Sequence, residues 1–185
     1  MSKIYFTSDT HFNHVNIIEY CNRPFEDPAA MNAEIINRWN KIVKNDDVVY
    51  HLGDFGFGSK EEVAAMVGQL NGIKKLILGN HDRWKPQIYR EMGFKEVYDR
   101  PILVEGFWLL SHAPIEGLMG TQSPFVNIYG HIHIDQRYIT VSASGVCVCQ
   151  ERWGYTPVDF SSIKKMVAAE RKEEIEEEEE EEDNG

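Results

Sequence analysis

The amino-acid sequence predicts a mixed α/β (α+β) fold that contains two sheets. In the first half, three apolar segments (KIYFTSD, DDVVYHLGD and IKKLILGNHD) alternate with two segments of helical periodicity. That alternation is typical of a buried parallel sheet. After residue 94, six short apolar segments follow one another with turn residues between them, which predicts a second and largely antiparallel sheet.

The helical segments of the first half repeat their apolar residues every three or four positions, as one face of a helix requires. In residues 28–43 that face consists of Met31, Ile35, Ile36, Trp39 and Val43. Residues 60–70 are predicted to form the second helix, which ends at Asn71-Gly72. A last helix is predicted over residues 161–172, with serine at its start.

The six apolar segments of the second half read KEVYD, RPILVEG, FWLLSHA, VNIYGHIH, RYITVSA and GVCVCQ. Cys147 and Cys149 alternate in the last of them, so we expect both on the same side of a strand. Together with Cys21 they make an odd number of cysteines, in a chain long enough to form a core without disulfides. Their CxC spacing differs from the CxxC of zinc knuckles and redox pairs. All three are therefore predicted to be buried structural residues.

The negative charge of the chain is concentrated at its C-terminal end. The net charge is −11, and residues 173–185 contain ten acidic residues and no basic one. The remaining residues hold 20 acidic against 19 basic side chains, which predicts one near-neutral domain (1–172) and a disordered acidic tail (173–185). A neutral body offers no electrostatic footprint for duplex nucleic acid. Without an apolar run of membrane-spanning length or a signal peptide, we expect a cytoplasmic protein with no membrane partner.

Metal-ligating residue types directly follow five of the predicted strands. These residues are Asp9, His11, Asp54, Asn80, His112, His131 and His133. Because the carboxyl ends of the strands of an open α/β sheet meet at one crevice, the side chains should converge there. A single DxH or GD is weak, but GNHD and GHIH rarely serve packing. We expect the alternation in GHIH to place its two histidines on one face.

Seven candidate ligands are too many for one tetrahedral or octahedral ion once water is included, so two ions are predicted. The ligands are carboxylate, amide and imidazole groups, without a thiolate. This mixture suits two divalent ions, with Mn²⁺ favoured and Fe, Zn or Ni as alternatives. Two ions about 3.5–4 Å apart can share one carboxylate and hold a hydroxide between them.

The same residues resemble the sequence motifs of the calcineurin-like metallophosphoesterases. SDTHF resembles the D-x-H motif of that family, HLGDF the G-D motif, LGNHD the G-N-H-D/E motif, SHAP the next histidine motif, and YGHIH the G-H-x-H motif. All five occur in the family's order. The resemblance is to a small, single-domain branch found in bacteria and phages. It implies a four-layer double β-sandwich flanked by helices.

The resemblance also implies a role for each residue. Asp9, His11 and His133 would bind one metal ion, and Asp54 would bridge both ions. The second ion would be bound by Asn80, His112 and His131. His81 would protonate the leaving oxygen or stabilise the phosphoryl group, and Asp82 would orient His81. His14 and Arg23 have no sure counterpart in the family; they are candidates for substrate contact, with a solvent-exposed structural role as the alternative for Arg23.

The reaction that the resemblance implies is hydrolysis of a phosphoester by a hydroxide held between two metal ions, with His81 as general acid. The intervals between the motifs are short, at 25, 29 and 18 residues, and leave no room for a capping domain. Such an open groove favours a small or nucleotide-like phosphodiester as substrate. A phosphomonoesterase and a catalytically inert scaffold of the same fold are the alternatives. Amide or lactam hydrolysis is disfavoured, because the chain has no HxHxDH cluster.

Overall fold

The computed structural model describes residues 2–115 and 125–183, which form two sheets and five α-helices. In chain order the elements are β1 (Ile4–Thr7), α1 (Val15–Tyr20), α2 (Pro28–Ile42), β2 (Val48–His51), α3 (Lys60–Gln69), β3 (Ile73–Ile77), α4 (Pro86–Glu91), β4 (Glu96–Tyr98), β5 (Ile102–Val104), β6 (Trp108–Leu110), β7 (Val126–Tyr129), β8 (Gly145–Cys147), a 3₁₀ helix (Gln150–Trp153), β9 (Val158–Asp159) and α5 (Phe160–Asp183). The short helices α1 and α4 and the edge strand β9 were not predicted from the sequence.

The first sheet has the strand order β4-β3-β2-β1-β9. Strands β1, β2 and β3 are parallel, as the alternation of apolar and helical segments predicts, and β9 pairs with β1 in the antiparallel direction. The segment KEVYD was assigned to the second sheet from the sequence, which is wrong: it forms β4, which follows α4 and pairs in parallel with β3 of the first sheet. Successive side chains point to opposite faces of the sheet. Tyr5 of β1 therefore packs on the helical side, whereas Phe6 packs between the two sheets.

The second sheet has the order β5-β6-β7-β8, and it corrects the prediction of a largely antiparallel arrangement. Only β5 and β6 are antiparallel; β6–β7 and β7–β8 are parallel pairs. The reason is the length of the connections. A three-residue link (105–107) allows a hairpin, whereas the links 111–125 and 130–144 are long enough to return the chain to the same end of the sheet. The predicted strand RYITVSA lies in the second of these links and contributes a single bridge, Val141 with Val146.

Two buried apolar layers join these elements. The first lies between the first sheet and α2, α3 and α4, and Trp39 and Tyr89 are among its fully buried side chains. The second lies between the two sheets and also takes in the first turns of α5. On the outer face of the second sheet, Tyr129 and both cysteines of the CxC pair pack against Ile132. Two mixed sheets flanked by helices confirm the predicted sandwich class, and all three cysteines are buried and free.

The C-terminal segment differs from the prediction, because α5 continues through Asp183 instead of ending near residue 172. Residues 173–183 are therefore helical where the sequence analysis expects disorder; residues 184 and 185 lie outside the described part of the chain. Glutamate is a good helix former, and extending a helix that already packs on the core avoids the cost of a new nucleus. Lys172 also pairs with Glu176 one turn later. In the described residues, no helix is long and apolar enough to cross a membrane.

Candidate metal centre

The loops that follow β1, β2, β3, β6 and β7 meet at one edge of the sandwich, where the carboxyl ends of the strands converge. The backbone N–H of Asp9 donates to Gly53 O at 2.9 Å, and that of His11 donates to Asp54 O at 3.1 Å. The two sheets are tied together there as well, because His131 N donates to the Asp9 carboxylate at 2.9 Å. Backbone hydrogen bonds thus hold the predicted ligands in one crevice.

Five of the seven predicted ligands have a left-handed backbone. The φ angles are +56° at Asp9, +49° at His11, +56° at Asp54, +73° at His131 and +46° at His133. Residues other than glycine rarely adopt this conformation, and such strain concentrates at functional sites. The GHIH pattern predicts that His131 and His133 alternate along a strand and share one face. This prediction is wrong, because their left-handed backbone takes them out of a strand. They lie in the loop after β7 and point into two different clusters.

The first cluster consists of Asp9, His11 and His133. Asp9 Oδ1 lies 3.9 Å from His11 Nε2 and 3.6 Å from His133 Nε2. Asp9 Oδ1 and His11 Nε2 are both buried and have no hydrogen-bond partner. Because an unsatisfied buried polar atom is costly, two of them facing each other fit a cation that would bind both.

The second cluster consists of Asp54, His112 and His131, with Asn80 beside them. His112 Nε2 lies 2.8 Å from Asn80 Oδ1 and 3.2 Å from His131 Nδ1. The other nitrogen of His112, Nδ1, donates to Leu52 O at 2.8 Å. That bond leaves the lone pair of Nε2 directed into the cluster, which is how metal-binding histidines are usually oriented.

Asp54 of the second cluster also borders the first cluster. Its Oδ2 is 3.6 Å from His11 Nε2 and 3.5 Å from His112 Nε2, while its Oδ1 accepts a hydrogen bond from His81 N at 2.8 Å. Burial raises the pKa of Asp54. Burial also lowers the pKa of His11, and the neighbouring cationic groups lower it further. A neutral imidazole and a carboxylate in need of a counter-charge suit a bound cation. The donor set therefore fits two ions that share Asp54.

Two glycines allow this close approach. A Cβ at Gly79 would overlap Asp54 Oδ1 and would lie 2.6 Å from Asp54 N. A Cβ at Gly130 would overlap Asp9 Oδ2 and would lie 2.6 Å from the Ser8 Cβ. Real Cβ atoms do not approach other heavy atoms so closely, so the glycines of LGNHD and YGHIH make room for the ligands.

His81 is exposed at the mouth of the crevice, with its ring 5.6 Å from that of His11. Asp82 does not orient it, which corrects the role that the resemblance implies. The Asp82 carboxylate instead accepts hydrogen bonds from the N–H groups of Asp54, Phe55 and Gly79 and from Tyr89 Oη. Burial raises the pKa of Asp82 to about 6, despite these bonds. Asp82 thus holds together the loops that carry the ligands.

Arg23 is buried, so it is neither a substrate contact nor a solvent-exposed structural residue. Its guanidinium is 0% exposed and donates to Asp9 O and Thr10 O beneath the crevice. The second candidate for substrate contact, His14, places its Nδ1 3.2 Å from His11 Nδ1. If His11 binds a metal through Nε2, its Nδ1–H donates to His14, which makes His14 a partner of a ligand. The seven predicted metal ligands and His81 lie around the same crevice.

The sequence analysis missed one residue that contacts a predicted ligand, Glu151. Its carboxylate accepts a hydrogen bond from His133 Nδ1 at 3.0 Å and forms an ion pair with Arg23. The sequence does contain a signal for it: Glu151 directly follows the apolar segment GVCVCQ, as the predicted ligands follow their strands. Cys149 is also close, because its Sγ donates to Asp9 Oδ2 at 3.3 Å.

Known proteins resemble this chain over most of its length or over part of it. The chain is 34% identical over 175 residues to Uncharacterized protein MJ1445 of Methanocaldococcus jannaschii, and the match covers 90% of this chain and 92% of that protein. The Gene 66 protein of Mycobacterium phage L5 is 38% identical over 85 residues, covering 44% of this chain and 41% of that protein. The crystal structure of protein AQ665 from Aquifex aeolicus superposes with a TM-score of 0.68 at 29% identity, covering 90% of this chain and 100% of that one.

A family model described as calcineurin-like phosphoesterase matches residues 2–161, which include both clusters and all nine described strands. Proteins of that family depend on two metal ions, in agreement with the two clusters of candidate ligands, which adjoin each other at Asp54. The chain therefore belongs to the calcineurin-like phosphoesterases, a family of metal-dependent phosphoric ester hydrolases.

Proposed function

We propose that this phosphoesterase hydrolyses a small or nucleotide-like phosphodiester, with two divalent ions of which Mn²⁺ is favoured. The first ion would be held by the cluster of Asp9, His11 and His133, and the second by Asn80, His112 and His131, with Asp54 shared. When bound, the ions supply positive charge at the phosphoryl oxygens and lower the pKa of water. The candidate ligands are oxygen and imidazole donors, which supports this choice of metal. The Cys149 thiol is not among them, because it donates a hydrogen bond to Asp9 Oδ2.

His81 is the group that would act on the leaving oxygen. Its side chain is exposed, and its backbone N–H is fixed to Asp54 Oδ1 at 2.8 Å. The backbone of His81 is therefore held beside Asp54, while its imidazole is open to a substrate. A proton donated from this position to a basic alkoxide is worth about 10²–10⁴-fold in rate.

The burial of Arg23 is the observation that favours a diester. A monoester is a dianion, and its tight capture calls for enclosure and for cationic side chains at the phosphate. Arg23, a candidate cation near the first ligand motif, is committed to Glu151 and to backbone carbonyls, and Arg83 lies over the Phe57 ring. Around the crevice Asn80, His81 and His131 are exposed, so the described part of the site is open.

Each cluster has a flank that could receive one substituent of a diester. Beside the first cluster, the rings of His14 and Phe57 stack with centroids 4.1 Å apart, and Arg83 lies over the Phe57 ring at 5.4 Å. Beside the second cluster, a cavity of about 380 Å³ adjoins His131 and includes Tyr138 in its wall. An aromatic wall on one side suits a planar group such as a nucleobase.

The experiment is a comparison of kcat/KM for bis-nitrophenyl phosphate and mono-nitrophenyl phosphate at equal pH and saturating Mn²⁺. We expect the diester to be preferred by at least about tenfold. A tenfold or greater preference for the monoester would make the protein a phosphatase. No turnover of either substrate, together with bound metal, would favour the inert scaffold of the same fold.

A further inference from the structure

The carboxylate of Glu151 lies beneath the first cluster, on the far side of His133 from the crevice. Its side chain is 5% exposed, and it stands outside the five sequence motifs that supply the predicted ligands. We propose that Glu151, charge-balanced by Arg23, is a positioning residue that sets the orientation and basicity of His133 toward the first metal ion. This inference rests on the proposed function, because it needs the first cluster to bind a metal.

One oxygen of Glu151 makes all of the relevant contacts. Oε1 accepts hydrogen bonds from His133 Nδ1 at 3.0 Å, from Arg23 Nε at 2.9 Å and from Arg23 Nη2 at 2.7 Å. With Nδ1–H bound to Glu151, the opposite nitrogen of His133, Nε2, points to Asp9 Oδ1 at 3.6 Å. The ring can therefore present its Nε2 lone pair to the cluster in only one orientation.

Arg23 makes the burial of this carboxylate possible. A buried carboxylate is costly unless it is paired and hydrogen-bonded, and the fully buried guanidinium of Arg23 pairs with Oε1 of Glu151 and donates two hydrogen bonds to it, whereas Oε2 is buried without a hydrogen-bond partner. The same guanidinium donates from Nη2 to Asp9 O at 2.7 Å. The ion pair thus contacts two predicted ligands of the same cluster: Glu151 binds the ring of His133, and Arg23 binds the backbone carbonyl of Asp9.

The backbone at these two ligands needs such support. Asp9 and His133 have φ angles of +56° and +46°, and residues in that region stay there only when their surroundings hold them. His133 N also donates to Cys149 Sγ at 3.2 Å. A carboxylate that accepts from the distal N–H of a ligating histidine raises the basicity of the ligand, and the loss of such a partner typically weakens metal binding 10–100-fold.

A third cation is the competing interpretation, because ligand atoms of Cys21, His133 and Glu151 lie within 4.8 Å of one another. The guanidinium of Arg23 is already in contact with that carboxylate and would repel a cation placed there. The Nδ1 of His133 is also engaged with Glu151. The contacts therefore favour a positioning role over a further metal site.

The test is Mn²⁺ binding to the full-length protein carrying Glu151→Gln, measured by calorimetry, by the number of ions bound and by electron paramagnetic resonance. Glutamine keeps an acceptor for His133 but removes the charge. We expect one of the two ions to bind at least about tenfold more weakly, while the other ion keeps its affinity. In the electron paramagnetic resonance spectrum, the signal of a coupled Mn²⁺ pair should be replaced by that of a single Mn²⁺ ion. Glu96→Gln is the matched control, because Glu96 lies away from the crevice and forms its ion pair with Lys75 at a distance of 3.1 Å. The Glu96→Gln protein should bind both ions as the wild type does.

Glu151→Asp is the second variant. It keeps the charge beside Arg23 and withdraws the oxygen from His133 Nδ1, so it should fold and lose affinity for the same ion. Two ions bound with wild-type affinity by a folded Glu151→Gln or Glu151→Asp protein would overturn the inference while leaving the proposed function intact. A wild-type protein that binds no Mn²⁺ would overturn both.

Discussion

Asp54→Asn should separate the stability of the metal-free protein from its capacity to bind metal. Asparagine has nearly the same shape as aspartate, and its oxygen can still accept the hydrogen bond from His81 N. Its amide nitrogen would replace Oδ2, which lies 3.6 Å from His11 Nε2 and 3.5 Å from His112 Nε2. An amide N–H₂ group is a donor and does not ligate a cation. Both ions therefore lose a shared, charged ligand.

The size of the effect follows from linkage. At an Mn²⁺ concentration of about 100 Kd, each ion stabilises the folded wild type by about 2.7 kcal/mol, and two ions by about 5.4 kcal/mol. For a domain of this length, 1 kcal/mol shifts the Tm by about 2–4 °C, so Mn²⁺ should raise the wild-type Tm by about 10–20 °C. The variant should lose most of that increase. Without metal it should be at least as stable as the wild type, because burial raises the pKa of Asp54 and its charged form is unfavourable there.

The assay is thermal unfolding followed by circular dichroism, with and without Mn²⁺, after chelation of all metal. Ion counting on the same samples should give two ions per chain for the wild type and fewer for the variant. Two ions and a full Mn²⁺-dependent increase of the Tm in Asp54→Asn would refute the shared-ligand assignment. A metal-free variant several degrees less stable than the wild type would refute the argument from burial.

Three further changes test other parts of the reasoning. His81→Ala should keep both ions but lose about 10²–10⁴-fold in turnover of a diester with an alkyl leaving group, and less with nitrophenolate; equal losses on the two substrates would indicate charge stabilisation instead of proton donation. His51 is fully buried, and burial lowers its pKa from 6.5 to about 3. Between pH 6.5 and pH 3 the unfolded chain therefore binds one more proton than the folded protein, so the free energy of unfolding falls as the pH is lowered through this range. His51→Gln should make the free energy of unfolding, measured by urea titration without metal between pH 4 and 6, less dependent on pH by up to about 1.4 kcal/mol per pH unit, and an unchanged dependence would contradict the pKa assignment. Truncation after Lys172 removes an exposed ion pair with Glu176 and should shift the Tm by less than about 4 °C, whereas a larger drop would show that the acidic end of α5 docks on the body.

Residues that follow apolar strands were the most predictable part of the site. Each parallel strand must end at the same edge of its sheet, so Asp9 after β1, Asp54 after β2 and Asn80 after β3 could be placed in one crevice from their positions alone. The roles of Arg23 and Asp82 could not be predicted in this way. Both lie next to ligand motifs, but the direction of each side chain depends on which backbone groups the neighbouring loops leave unpaired.

By itself, the sequence determined the parallel strands β1, β2 and β3, the helices α2 and α3 and the set of candidate ligands, because these depend on local periodicity and on the order of segments along the chain. Only the tertiary structure decided the strand directions of the second sheet, which follow from the lengths of the links and not from the strands themselves. It also decided that His131 and His133 separate into two clusters, through left-handed turns that no apolar pattern encodes. The pairing of Arg23 with Glu151 is of the same kind, since 127 residues separate the two along the chain and folding alone brings their charges together.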